Sequence, residues 1–417
     1  MVKRIIAIVL IFLFAAAAWG ILGATIFSRT YSSDGALKDR VVTLWGAPHK
    51  QMPPAASFQK LNTKKVESTE NGKKIVRTEE EKITTVLPLE SSRIDVGLGL
   101  EHRQKGLLWY STYKVSFAGV YTFRNTSDKE ERVTFTLDFP TTQAIYDDLV
   151  FTVDDAPVAL ASEKKATSGA VVVGPGKTAT LKVGYRSQGL NEWRYGFSSG
   201  EVAQVRDFKL RMTTDFEGVD FPEGTLSPSE KAEAASGWEL VWAYKNLVSG
   251  YEIGMVMPEK LQPGPLAGRI SFFAPVSLFF FFFLMFIITT MRGIELHPVN
   301  YFFLAAAFFS FHLLLAYLVD HVSIHIAFVI CSAVSIFLVI SYLRLVVGLR
   351  FATGEAAFAQ FIYLVMFSYA FFFKGLTGLA ITVGSIITLF VVMQLTGRVR
   401  WAEKFAAQQG DSPSKPN

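Results

Sequence analysis

Two stretches of the chain are almost continuously apolar, and the sequence between them is not. The first stretch, Ile5–Phe27, holds 23 residues and directly follows Lys3 and Arg4. As a helix it would span about 35 Å, which is enough to cross the hydrocarbon core of a bilayer. A cleaved signal peptide with its cleavage site at Ala15–Ala18 is the alternative. Apolar sequence continues past those alanines, which favours an uncleaved anchor helix.

The second apolar stretch covers residues 270–396 and is broken by short polar segments. Apolar runs of about 18 or more residues with almost no charge predict membrane-spanning helices. The breaks divide this stretch into five predicted spans, which are Ile270–Met291, Val299–Val319, Val322–Leu349, Ala356–Phe373 and Leu376–Thr396. Together with the first run, they predict a membrane protein with an N-terminal transmembrane helix and a C-terminal bundle of five.

The residues between the two apolar stretches have the pattern of β-strands. Segments such as "RVTFTLDFP" and "TATLKVGYRS" alternate apolar and polar residues, and Gly, Pro, Asn, Asp and Ser clusters separate them. The pair Asn71-Gly72 predicts a type I′ hairpin turn, and Asp154-Asp155 predicts a second hairpin turn. Short alternating strands at this spacing predict an all-β, sandwich-like domain.

Two segments of this region depart from the strand pattern. "SPSEKAEAA" predicts a short helix, because Ser227 or Ser229 could cap it. "LQPGPLAG" (Leu261–Gly268) is rich in Pro and Gly and reads as a linker into the membrane. The chain is therefore predicted to divide into an anchor helix (1–28), an extracytoplasmic β-rich domain (29–268), a five-helix transmembrane region (269–397) and a cytoplasmic tail (398–417).

The charges that flank the spans predict the orientation in the membrane. If the N-terminus is cytoplasmic, the two short outer loops hold only Lys374. The cytoplasmic segments then hold nine cationic residues, which are Lys3, Arg4, Arg292, Arg344, Arg350, Arg398, Arg400, Lys404 and Lys415. This bias predicts that both termini are cytoplasmic and that the large domain lies outside.

Composition adds little to the choice of partner. The formal net charge of +5 does not predict a nucleic-acid partner, because much of the excess lies in the loops that flank the spans. The single cysteine, Cys331, excludes an internal disulfide. The lipid bilayer is the partner that the sequence predicts, and protein partners in the envelope stay open.

Motifs that carry chemistry are scarce. The β-rich region holds only His49 and His102, and no G-x-S-x-G, H-E-x-x-H or phosphate-binding glycine loop is present. Trp193, Trp238 and Trp242 could line a ligand groove, but buried sandwich aromatics are the commoner outcome. No catalytic residue, cofactor or metal site is predicted, and we expect a protein that is not an enzyme.

Polar residues within membrane spans are the remaining candidates, since such residues are costly in a bilayer. His312 is the ionisable residue placed deep in a span, and we expect a hydroxyl of a neighbouring helix to satisfy it. Asp320, His321 and His325 follow at the predicted outer end, while Arg344 and Glu355 lie near the cytoplasmic face. His297, just before Pro298, is predicted to cap a helix or to face lipid headgroups rather than to bind a metal, because no second ligand lies at metal-binding spacing.

The C-terminal spans resemble those of the CreD-like bacterial inner membrane proteins. The resemblance rests on "LHPVNYFF" (His297, Pro298, Tyr301), on Asp320-His321, on "SYLR" ending at Arg344, and on "GSIITLFVVMQLTGRVRW". In the β-rich region "EHRQKGLLWYSTYKVSFAGVYTF" is similar to the family's pattern at Arg103, Gly106, Tyr113 and Gly119. The chain departs from the family at Lys374-Gly375-Leu376, where relatives carry an acidic pair and a tyrosine.

The resemblance implies a protein associated with envelope stress, linked in relatives to a two-component regulon and to colicin tolerance. It implies no catalytic reaction. We therefore expect a non-enzymatic, multi-pass inner membrane protein that supports envelope integrity or the stress response. The leading alternative is a carrier or export component whose outer β-domain binds a ligand, and an envelope enzyme is the third candidate.

Overall fold

The protein divides into two compact units, one helical and one rich in β-strands. The computed structural model describes residues 2–70, 73–105, 108–198, 202–373 and 375–397. Within them, the helical unit takes in residues 2–35, 108 and 261–397, and the β-rich unit takes in residues 36–105 and 109–260. The described chain has six helices long and apolar enough to cross a membrane: α1 (Val2–Trp45), α2 (Pro263–Arg292), α3 (Pro298–Leu318), α4 (Ile324–Val346), α5 (Leu349–Phe372) and α6 (Thr377–Thr396).

Some of the sequence predictions fall outside the described residues. They are the turn at Asn71-Gly72, the motif residue Gly106, the loop residue Lys374 and the tail 398–417. The predicted boundaries between the four segments stay predictions. Helix α1 continues to Trp45, well beyond the apolar run that predicted it.

The strands of the β-rich unit form three sheets. In chain order they are β1 (His49–Gln51), β2 (Ala55–Glu70), β3 (Lys73–Val86), β4 (Leu89–Lys105), β5 (Leu108–Arg124), β6 (Glu131–Asp138), β7 (Tyr146–Val153), β8 (Ala156–Pro157), β9 (Leu160–Ser162), β10 (Ala166–Val173), β11 (Thr178–Leu190), β12 (Glu192–Tyr195), β13 (Ala203–Thr214), β14 (Glu230–Ala234), β15 (Gly237–Ser249) and β16 (Ile253–Val256). The strand orders are β14-β15-β13-β4-β5-β11-β7-β8, β3-β2-β6-β10-β9 and β1-β12-β16. The predicted hairpin turn at Asp154-Asp155 is confirmed, since both residues have positive φ and connect β7 to β8.

The two larger sheets share one apolar core, which explains the alternation in the sequence. Phe117 of β5 and Phe135 of β6 are buried, while their neighbours along each strand point away from the core. Phe123 and Phe135 meet edge to face with ring centroids 5.7 Å apart, one ring from each sheet. Burying side chains of this size contributes about 1.5–3 kcal/mol each. The predicted sandwich-like fold is confirmed, as is the burial of Trp193 and Trp242.

Two local predictions are wrong. Glu230–Ala234 is strand β14 rather than a helix, because it pairs antiparallel with β15 through the turn that ends at Gly237. Strand pairing therefore overrides the helix propensity of its alanine and glutamate residues. The expected linker Leu261–Gly268 is helical from Pro263 onward, since proline is tolerated in the first turn of a helix.

The first turns of α2 serve as a packing surface for α1. Gly264 and Gly268 lie four residues apart on one face of α2, and both are buried. A Cβ added at Gly264 would lie 2.7 Å from Oγ1 of Thr30, and one at Gly268 would lie 3.2 Å from the Phe27 ring. Such small-xxx-small spacing lets the backbones of membrane helices approach closely.

Candidate functional site

His49, on β1, lies at the centre of a buried hydrogen-bond network in the β-rich unit. Its Nδ1 is 3.0 Å from the Tyr113 hydroxyl, and its Nε2 is 3.0 Å from Oγ of Ser187. The Tyr113 hydroxyl donates to the Glu192 carbonyl oxygen at 2.8 Å. Burial lowers the pKa of His49 to about 4, so the imidazole is neutral at neutral pH. The network fixes β1 against β5 and β11.

The Ser187–His49 contact has the spacing of a nucleophile and its general base, but its surroundings are those of a packing contact. Oγ of Ser187 also lies 2.8 Å from the Ile145 carbonyl oxygen, and its side chain, at the edge of the cavity described below, is only 5% exposed. A reactive hydroxyl needs access to substrate and a base that takes its proton. Tyr113, singled out by the family resemblance, is thus a member of a structural network.

Arg103, another motif residue of this region, contacts the end of α1. Its guanidinium carbon lies 3.2 Å from the centroid of the Trp45 ring, and Trp45 is the last residue of α1. Arg103 and Lys114 also hold the two carboxylate oxygens of Glu101, each at 2.6 Å. Lys114, followed by Arg103, lowers the pKa of Glu101. This cluster couples β4, β5 and the last turn of α1.

A cavity of about 1020 Å³ lies beside this cluster, on the face of the eight-stranded sheet opposite the core. Small residues form part of its floor, since Gly97 of β4 lies opposite Thr213 of β13. Leu44 and Ile145, which are 60% and 81% exposed, line its walls. The charged lining residues are Lys114, Asp147, Arg186 and Asp215. The cavity therefore combines apolar walls with charges of both signs.

Of the two roles predicted for His297, the capping role is confirmed in the helical unit. His297 is the N-cap residue of α3, and its Nδ1 accepts a hydrogen bond from the Val299 N–H at 3.3 Å. Pro298 follows as the first helical residue, where its missing N–H costs nothing. His297 and Pro298 therefore begin α3, and Nδ1 of His297 is used by the hydrogen bond to the backbone.

The motif residues of the helical unit lie at two opposite ends. His297, Pro298, Tyr301 and Arg344 lie at the end that contains Arg292, which we call the Arg292 end. Asp320 and His321 follow the other end of α3, which we call the Asp320 end. The buried Tyr301 ring meets the Phe282 ring edge to face at 5.2 Å. The structure therefore does not gather these residues into one site.

Arg29 is a partner of Asp320 that the sequence analysis missed. Its Nη1 lies 3.4 Å from Oδ2 of Asp320, and its Nη2 donates to the Ala316 carbonyl oxygen at 2.7 Å. The guanidinium also lies 5.5 Å from the centroid of the Tyr317 ring. These contacts attach α1 to the end of α3. At the Arg292 end, Arg292 forms a comparable ion pair with Glu355 of α5.

His312 is buried as predicted, but the expected hydroxyl partner is wrong. Its Nδ1 lies 3.1 Å from the Phe308 carbonyl oxygen of the same helix. An interhelical hydroxyl of α4, that of Ser335, donates to the Ala307 carbonyl oxygen at 2.6 Å. The Gln360 amide of α5 donates to that same Ser335 at 2.8 Å. This three-helix chain was also missed, because serine and glutamine inside apolar runs give no periodic signal.

Gln360 lies between two π-helical segments of α5. They are Ala352–Ala356 and Phe361–Met366. Such segments are rare and interrupt the regular backbone ladder of a helix. No group of three or more His, Cys, Asp and Glu side chains able to hold a metal occurs among the residues that the structure describes.

Six apolar helices and a β-rich unit between the first and second of them define a multi-pass membrane protein with a large β-domain. Residues 266–402 match the family described as inner membrane protein CreD. The resemblance carried by His297, Pro298, Tyr301 and the following motif residues is therefore confirmed for this part of the chain. The match includes α2 from Leu266 to the end of α6.

Similarity to other known proteins is weak. None of the curated proteins is significantly similar in sequence. A protein described as nutrient-binding from Legionella pneumophila shares 10% identity, covers 57% of this chain and 76% of its own, and has a TM-score of 0.33. An M1 zinc metallopeptidase from Deinococcus radiodurans shares 11% identity, covers 41% of this chain and 42% of its own, and has a TM-score of 0.26.

Proposed function

We propose that this protein is a non-enzymatic component of a bacterial inner membrane that supports envelope integrity during stress. The match of residues 266–402 to the CreD inner membrane protein family carries the proposal. Relatives in that family are linked to a two-component regulon and to colicin tolerance. The buried, fully occupied character of the His49 network supports a role that requires no catalysis.

In this proposal, both termini are cytoplasmic and the β-rich unit lies in the periplasm. The bias of cationic residues toward one side of the spans supports this orientation. Arg292, Arg344 and Arg350 all lie at the Arg292 end, which would face the cytoplasm. The Asp320 end would face the periplasm.

The β-rich unit is the part of the molecule that would act on the envelope. It is large enough to bury its own core, and it carries an open cavity of mixed polarity. The bilayer is the partner that this arrangement requires.

A carrier or export component is the second candidate, and the cavity of about 1020 Å³ is the observation that favours it. Ligand sites are commonly concave, largely apolar and furnished with a few polar groups. Transport across the membrane would also require polar groups at depth, where His312 lies.

Two variants of the full-length protein separate these candidates. The first deletes residues 46–260 and retains all six spans, and the second is His312→Leu. We expect the deletion to abolish tolerance to detergent or colicin-like stress, and His312→Leu to retain it, at matched protein levels in the membrane. The substitution removes an imidazole whose hydrogen bond is made within its own helix, so we expect the spans to stay assembled.

Phe309→Leu serves as the matched control for His312→Leu, since it changes a neighbouring apolar side chain of the same helix. Loss of tolerance with His312→Leu alone, accompanied by loss of proton-driven uptake into vesicles, would replace the stress-protein proposal with the carrier. Full tolerance in the deletion variant would exclude the β-rich unit as the acting part.

A further inference from the structure

Two ring nitrogens in the core of the helical unit lack a hydrogen-bond partner among the described residues. They are Nε1 of Trp19, on α1, and Nε2 of His312, on α3. Both side chains are 0% exposed. The two rings are in contact edge to face, with centroids 5.5 Å apart and an interplanar angle of 89°. Buried polar atoms without partners are rare and require an explanation.

The contact of His312 with its own helix determines which ring nitrogen carries the proton. Its Nδ1 lies 3.1 Å from the Phe308 carbonyl oxygen, and a carbonyl oxygen can only accept. Nδ1 therefore carries the hydrogen in the neutral ring, and Nε2 presents a lone pair. The His312 ring is surrounded by apolar and aromatic side chains, and the centroid of the Phe311 ring lies 4.9 Å from its own. These apolar surroundings favour the neutral form of the imidazole.

The indole of Trp19 has the opposite requirement. Its Nε1–H is a donor and cannot accept. Its other aromatic neighbour is Phe309, whose ring centroid lies 5.3 Å from that of the indole and which offers no hydrogen-bond acceptor. The indole N–H of Trp19 is thus a donor that lacks an acceptor. The imidazole ring that it contacts carries Nε2 of His312, an acceptor that lacks a donor. In hydrocarbon no water competes for either atom.

The position of Trp19 gives this pair a structural consequence. Helix α1 is mostly exposed along its apolar part, with 6% of the residues in its most apolar window buried. Trp19 is an exception, and it inserts into the same core as Phe281 and Phe308. A polar contact at Trp19 would therefore fix both the depth and the rotation of α1 against α3.

We infer that the indole N–H of Trp19 donates a hydrogen bond to Nε2 of His312, reached by a small rotation of the rings, and that this bond docks α1 on α3 within the membrane. The imidazole of His312 then accepts a hydrogen bond from α1. It is a positioning residue for the first helix, and its lone pair is occupied rather than open to a transported proton.

The test is made on the full-length protein, selectively labelled with ¹⁵N at its tryptophan indoles and purified in detergent micelles. The Trp19 resonance is assigned by its loss in Trp19→Phe. We expect a hydrogen-bonded, downfield indole N–H that moves upfield in His312→Leu and stays downfield in His312→Gln, which keeps an acceptor. Phe309→Leu, which alters only an apolar neighbour of the same indole, should leave the hydrogen-bonded shift in place.

Thermal unfolding provides a second measurement in case a variant gives no well-resolved indole resonance. Thermal unfolding midpoints are compared for Trp19→Phe, His312→Leu and the double variant. We expect the unfolding midpoint of the double variant to lie at most slightly below that of the less stable single variant. The reason is that each single substitution already removes the same hydrogen bond. Fully additive decreases, or an indole resonance unchanged by His312→Leu, would overturn the inference.

Discussion

The two units bury one histidine each in different ways. His49 in the β-rich unit has a hydroxyl at each ring nitrogen, contributed by β5 and β11. His312 in the helical unit reaches only a carbonyl oxygen of its own helix and otherwise meets aromatic rings. Sheet pairing brings side chains from distant sequence onto both sides of a buried group. A helix satisfies its own backbone, so an inward side chain depends on what the neighbouring helix presents.

The same contrast extends to how each unit holds its elements together. In the β-rich unit, Arg103 and Lys114 converge on Glu101 and order the end of α1. In the helical unit, α1 meets α2 at Gly264 and Gly268, where the absence of side chains permits contact. The first arrangement depends on polar partners, whereas the second depends on close approach. Substitutions should therefore affect the two units by different mechanisms.

Removing the His49 side chain should have the largest effect on the β-rich unit. His49→Ala leaves a cavity and removes a partner from Tyr113 and Ser187, which we expect to lower the free energy of unfolding by about 4 kcal/mol. Chemical unfolding of the purified full-length protein, followed by far-ultraviolet circular dichroism, measures it. His102→Ala is the control, since that ring is half-buried and contacts one carbonyl oxygen. Equal effects of the two substitutions would contradict the role of the network.

The stability of the β-rich unit should also depend on pH through His49. Its pKa falls from an ordinary 6.5 to about 4 on folding, so the unfolded state binds the proton first. Stability is full above pH 6.5 and declines as pH falls from 6.5 toward 4, by about 3 kcal/mol from this group. Unfolding curves at several pH values measure the decline. His49→Gln should flatten this part of the profile, and an unchanged slope would count against the assignment.

Packing at Gly268 should govern the docking of α1. We expect Gly268→Leu to destabilise the helical unit by about 2 kcal/mol, because the new side chain meets Phe27 and Ile26. Gly354→Leu is the matched control, since a Cβ there has no atom within 4 Å. Cysteine crosslinking between α1 and α2, compared across the variants, reports the packing. Equal crosslinking in the two leucine variants would contradict the contact.

The stacking of Arg103 on Trp45 should contribute less to the free energy of unfolding than the packing at Gly268. We expect Arg103→Leu to lower stability by about 1 kcal/mol, by loss of the cation–π contact and the Glu101 pair. Lys231→Leu removes a comparable contact over Trp238 that involves no residue of α1. Only Arg103→Leu should increase hydrogen exchange in the last turn of α1. The same exchange in both variants would show that Arg103 does not order that turn.

Sequence patterns predicted the elements of the fold better than their contacts. The spans followed from continuous apolar runs and most strands from local alternation, whereas Glu230–Ala234 was mistaken for a helix because its pairing with β15 is not a local property. Arg103 and Tyr113 were found through resemblance alone. Their partners Trp45 and His49 lie 58 and 64 positions away and carry no motif. The contact between Arg29 and Asp320 was missed for the same reason.

The orientation of the chain is the most direct test of the proposed function, which requires the β-rich unit to lie outside the cytoplasm. Reporters fused after Met291, Gly354 and Gly397 should be active only in the cytoplasm. Reporters fused after Val319 and Phe373 should be active only outside it. The account predicts this alternation, and a fusion after Gly397 that reports from the outside would contradict it.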